Sequence, residues 1–143
     1  MIKKSIRMIV LMVIISVING GCAATKSNQC RELITIANDT VAEAKTLTNG
    51  GKSTNPEVAL LAADTMELAA EEMASLEITD EQLKQYQMDF IVMYRDTAKA
   101  TRSFVKAYKG TDQMQLKEAR KHLQKATAPE SKLVKGINQY CVK

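Results

Sequence analysis

The stretch Ile78-Thr79-Asp80-Glu81-Gln82-Leu83 reads as the start of a helix and is the strongest local signal in the chain. Thr79 followed three residues later by Gln82 is a capping box, in which each side chain serves a backbone N–H left over at the helix start. Ile78 against Leu83 supplies the hydrophobic staple that fixes the angle of entry. Beyond it, Leu83, Tyr86, Phe90, Met93, Thr97, Phe104 and Tyr108 recur at helical spacing, so one helix is expected from about Asp80 to Lys109, stopped by Gly110.

The same reading extends outward in both directions. Upstream, Asn55 caps a helix whose first position is Pro56, where the missing N–H costs nothing, and which runs to about Glu77. Before it, Cys30, Leu33, Ala37, Val41, Ala44 and Leu47 share a face over residues 28–48, and Asn49-Gly50-Gly51 ends the run. Downstream, a helix opening at Thr111 or Asp112 presents Leu116, Ala119, Leu123, Ala126, Leu133, Ile137 and Tyr140. Pro129 interrupts it without changing the apolar phase, which predicts a kink, although Thr127 to Glu130 could also cap a restarted helix. Short connections make neighbours antiparallel, so the expected fold is all-α, an up-down-up-down four-helix bundle. A content of 6 Gly, 2 Pro and no Trp points the same way, and 143 residues allow one core.

The first 21 residues belong to something else. Lys3, Lys4 and Arg7 precede an apolar run from Met8 to Ile18, too short for a retained membrane span, followed by Asn19, Gly20 and Gly21: a secretory signal peptide. Without residues 1–21 the chain has 17 Lys and Arg against 16 Asp and Glu, a net charge of +1 rather than +4. Nucleic-acid binding through bulk charge loses its support.

The sequence Ile18-Asn19-Gly20-Gly21-Cys22 resembles the lipobox of bacterial lipoprotein precursors. Gly21 and Cys22 fit the family pattern, while Asn19 stands where that family usually has an aliphatic residue. The resemblance implies that Cys22 becomes the lipidated N-terminus, carrying three acyl chains of the palmitate kind that hold the protein on a membrane at ~0.8 kcal/mol per buried methylene. It covers only the first 22 residues, leaving a tether over residues 22–27 before the helical-bundle domain read over 28–143, and, from Ala23 in place of Asp after the cysteine, it implies the periplasmic face of the outer membrane. The competing reading is ordinary cleavage after Ala24 and release of a soluble secreted protein. With Cys22 used by lipid, Cys30 and Cys141 form an even pair in an oxidising compartment and read as a disulfide. The bundle topology agrees, because the start of its first helix and the end of its last lie at the same end.

Chemistry is harder to find. One histidine excludes the common two-histidine metal sites, and Glu118 with His122, one helical turn apart in basic surroundings, reads as a solvated pair. Gly51-Lys52-Ser53 has the tail of a P-loop, but Thr46 occupies the place of its leading glycine. Neither a catalytic constellation, a metal site nor a cofactor is expected. A cofactor-carrying bundle using His122 and a methionine, or an enzyme or enzyme subunit, are the alternatives to a non-catalytic binding or assembly module.

Charge patterning supplies the candidate surface. From Asn55 to Gln82 there are eight acidic residues and no basic one, whereas Arg95 to Lys125 carries nine basic residues against Asp96, Asp112 and Glu118. Arg95, Lys99, Arg102, Lys106 and Lys109, at steps of four and three, align as a stripe that Lys117, Arg120, Lys121 and Lys125 extend across the hairpin. Either this stripe pairs with the acidic helix inside the bundle, or it docks an anionic envelope partner: a protein, a lipid head group or a cell-wall polymer. Helices three and four are longer than one and two, and the surplus is expected to project around Gly110, with its lysines.

Overall fold

The computed structural model describes residues 25–142. The segment 1–21 read as a signal peptide and the expected lipidation site Cys22 lie outside them. Five helices follow in order, α1 Lys26–Leu47, α2 Pro56–Ser75, α3 Glu81–Lys109, α4 Gln113–Thr127 and α5 Glu130–Cys141. α2 packs between α1 and α3, α4 lies along α3, and α5 packs on α1 and α3, so α4 and α5 together form the fourth rod of the bundle. Among the described residues there is no strand.

Caps place the helix starts. Thr25 accepts the N–H of Asn28, Asn55 that of Glu57, and Asp112 those of Met114 and Gln115, each filling orphan donors of a first turn. Because Thr25 is a cap, α1 begins two residues before the expected boundary, and Lys26 and Ser27 are helical rather than tether. After Thr48, Asn49, Gly50 and Gly51 all have positive φ, and the Gly50 N–H returns to the Lys45 carbonyl, which turns the chain toward α2.

The cap of α3 differs from the capping box. Asp80, not Thr79, is the N-cap and accepts the Leu83 N–H at 2.9 Å. Thr79 is held from another helix instead. Buried Gln29 of α1 donates to its hydroxyl at 3.0 Å and accepts the N–H groups of Thr79 and Asp80 at 2.8 and 3.1 Å. The Leu83 N–H and the Tyr140 hydroxyl both donate to Asp80 and, with Lys26 nearby, hold its carboxyl below the ordinary carboxylate range. Ile78 and Leu83 enter one core cluster, although with Asp80 as the cap they stand one position out of the staple register.

Large side chains fill the half of the bundle nearest the Cys30–Cys141 bridge: Leu33, Ile36, Met73, Leu83, Phe90 and Ile137 are all buried there. Each contributes ~1.5–3 kcal/mol by leaving water. Toward the end of α3 the core is lined by Val105 and Ala107, while Tyr108, assigned to the core face by spacing, is exposed and stacks on Phe104. The Cys30–Cys141 disulfide joins α1 to α5 with the two Cα atoms 5.8 Å apart.

Three sets of contacts fix α2 antiparallel to α3. Gln87 donates to the carbonyls of Met73 and Leu76, Arg102 pairs with Asp64 and Glu67, and Lys109 pairs with Glu57. The last of these places the start of α2 level with the end of α3, so α3 does not overhang α2 around Gly110. The surplus lies at the opposite end. α3 exceeds α2 by nine residues, 29 against 20, or ~13 Å of helix. The five non-helical residues 76–80 cover that distance, because extended chain advances ~3.3 Å per residue against 1.5 Å in a helix.

At Pro129 the fourth rod is divided rather than broken. Ala128 and Pro129 both keep right-handed helical dihedrals, and the Leu133 N–H reaches the Pro129 carbonyl at 3.0 Å. The proline cannot donate to a preceding carbonyl, and that loss separates α4 from α5 while the apolar phase runs through.

Candidate anion-binding groove

The fourth rod and α3 enclose an outer groove with a volume of about 960 Å³. Its floor is Tyr86, Met93, Ala100, Leu133 and Gly136. One wall is α3, through Asp89, Val92, Asp96, Lys99 and Ser103; the other is α4 and α5, through His122, Lys125, Lys132, Lys135 and Gln139. Gly136 shapes the floor: a Cβ there would lie 2.8 Å from the Tyr86 hydroxyl, so the absence of a side chain lets α5 lie over that ring.

Four lysines face the groove against two aspartates. Among the described residues none of the four lies within ion-pair distance of a carboxylate. Asp89 already accepts a hydrogen bond from Gln85. The charges therefore remain available to a ligand, and walls of low dielectric strengthen their field in a concave site.

The basic stripe is dispersed by the fold. Arg102 is committed to Asp64 at 2.8 Å and Glu67 at 3.1 Å, which stabilise its charged form, and Lys109 to Glu57 at 2.7 Å. These two residues do what a solvated face pairing with the acidic helix does. Lys99 faces the outer groove, Arg120 lines a second groove between α1 and α4, and Arg95, Lys106, Lys117 and Lys121 are exposed. A 3.6-residue period carries a long stripe around α3, so residues aligned pairwise reach different neighbours.

Lys132 and Lys135 were not among the expected contact residues. The signal for them lay in the sequence: His122, Lys125, Pro129, Lys132 and Lys135 recur at steps of three and four across the proline. Ending the basic segment at Lys125 hides that continuity. His122 lines the groove, while Glu118 is exposed and forms no ion pair with it. Among the described residues no three His, Cys, Asp or Glu side chains gather as a metal site, and no helix is long and apolar enough to cross a membrane. No protein-family model, curated protein or solved structure matches the chain.

Proposed function

We propose that the mature chain is a small lipid-anchored protein of the bacterial envelope, held through Cys22, that acts without chemistry of its own as a binding or assembly module. Its partner is anionic, a protein, lipid head group or cell-wall polymer, and docks in the outer groove and on the adjoining basic surface of Lys106, Lys117 and Lys121. The observation that carries this reading is the difference between two sets of cations. Arg102 and Lys109 are neutralised by α2, whereas Lys99, Lys125, Lys132 and Lys135 converge on a concavity without a carboxylate in ion-pair range among the described residues. Charges that served only solubility would have no reason to converge on a cavity.

Photo-crosslinkers placed at Ser103 and Gln139, with Leu68 on the acidic helix as control, test it in the native envelope. Salt-sensitive adducts are expected from the first two sites, and joint reversal of the four lysines to Glu should remove them while leaving thermal stability nearly unchanged. Adducts that survive the reversal overturn the groove as the contact. The anchor is tested separately: an intact mass lacking acyl chains, or Cys22→Ser protein that still reaches the membrane fraction, overturns the lipoprotein reading.

A further inference from the structure

The half of the bundle farther from the disulfide is built differently, and that difference defines a second groove. Past Tyr94 the inward positions carry small side chains: Ala44 on α1, Ala59 and Ala62 on α2, Thr97 and Thr101 on α3. α4 lies along α3 and makes no extensive contact with α1. Four helices that would close over larger residues leave instead a groove of about 550 Å³, within the range of small-molecule sites. Val41, Met66, Met93 and Leu123 line it together with the alanines, so the trough is apolar.

Its two ends are unlike. At the inner end stand the buried Tyr94, whose hydroxyl makes a long 3.5 Å bond to the Ala37 carbonyl, and Glu130. Toward the loop after α1, Lys45 stands on one rim and Arg120 on the other, and neither has an ion-pair partner among the described residues. An amphiphile with an anionic head is repelled by Glu130 at one end and attracted by two cations at the other, which orients it. Along α1 the groove runs from Thr40 to Thr48, ~12 Å at the helical rise, and along the fourth rod from Arg120 to Glu130, ~15 Å. An extended hydrocarbon chain advances ~1.25 Å per carbon, so about ten to twelve carbons fit.

We propose that this inner groove binds one free saturated fatty acid of about twelve carbons, with its carboxylate between Lys45 and Arg120 and its tail directed toward Tyr94. The site is separate from the outer groove, and the proposal does not depend on what docks there. The occupant is a single chain because one trough of this volume and length is present, and an acid because both rim charges are positive.

Titration of the full mature chain with fatty acids of eight to sixteen carbons, below their micelle concentrations, tests the proposal directly. Affinity should rise about fourfold per added methylene and flatten near twelve carbons, where the trough is full. The alkanol of the same length should bind at least tenfold more weakly, because it lacks the charge. Lys45→Glu with Arg120→Glu should weaken laurate at least tenfold without changing alkanol binding, and Ala44→Phe should block both. Circular dichroism checks that each variant is folded; should Ala44→Phe fail to fold, the chain-length series on the natural sequence decides alone. Absence of a plateau, equal binding of acid and alkanol, or unchanged laurate affinity in the folded rim variant overturns the proposal. So does concentration-dependent dimerisation that laurate leaves untouched, since a second copy would then fill the groove.

Discussion

Replacing Gln29 by Ala should cost more stability than any surface change in the molecule, and the structure says how much. The side chain makes three hydrogen bonds across a sequence distance of about fifty residues, one to the Thr79 hydroxyl and two from the N–H groups that open α3. At a net ~1 kcal/mol each, with a further contribution because Gln29 is 2% exposed and leaves a void, the loss is about 3–4 kcal/mol. For a domain of roughly 120 residues that lowers the thermal midpoint by ~12–16 °C. Gln29→Glu separates the causes. A carboxylate still accepts both N–H groups but loses the donor and stands near Asp80, so an intermediate loss of about 1–2 kcal/mol is expected. Thermal unfolding followed by far-ultraviolet circular dichroism measures both variants, and amide hydrogen exchange at residues 79 and 80 shows whether the loss is local. If Ala and Glu behave alike, or Ala costs less than about 1 kcal/mol, the side chain is only filling space and the reasoning is wrong.

Other expectations concern separate parts of the molecule. Replacing both Cys30 and Cys141 by Ser removes a cross-link spanning 111 residues, worth ~4.8 kcal/mol in the chain-entropy model, so scanning calorimetry should find the midpoint lower by on the order of 15–20 °C; a shift under about 5 °C rejects that account. Burial pushes the Tyr94 hydroxyl up to about 12 from 10, so the unfolded chain releases that proton first. Its contribution is fully present below pH 10 and lost as pH rises to about 12, and Tyr94→Phe should flatten this alkaline decline in denaturant titrations. Arg102→Glu should destabilise by about 1–2 kcal/mol, since it removes two half-exposed ion pairs and sets a third carboxylate beside them, whereas Lys121→Glu should stay within about 0.5 kcal/mol.

The four rods of the bundle, their order and their direction are legible because they depend on signals that local sequence carries: the caps at Asn55 and Asp112, the Gly50-Gly51 stop, and apolar residues at helical spacing. The disulfide followed from compartment and cysteine parity. What escaped was tertiary. Thr79 and Gln82 match a capping box in isolation, but Gln29, fifty residues away, takes the Thr79 N–H that Gln82 would have served, and Asp80 takes over as the cap. The surplus of α3 goes to the wrong end when the second helix is run to Glu77, because the link to Asp80 is then too short to carry it, whereas α2 stops at Ser75 and leaves five extended residues. Among the candidate contact residues, spacing alone could not distinguish Lys99, which faces a groove, from Arg102, which faces α2. Both grooves are absences of packing, one under Gly136 and one over a patch of alanines and threonines, and no single residue announces an absence.

The bond between Cys30 and Cys141 closes residues 30–141 of the oxidised chain into a covalent ring. A single proteolytic cut between Thr48 and Asn55 would leave one molecule rather than two, and its fragments would part only on reduction. Mechanically the ring is a bypass. A load applied to α5 passes to the segment preceding α1 through one sulfur–sulfur link instead of through the helices between them. Whatever grips the fourth rod can pull on the N-terminal segment without unzipping the bundle.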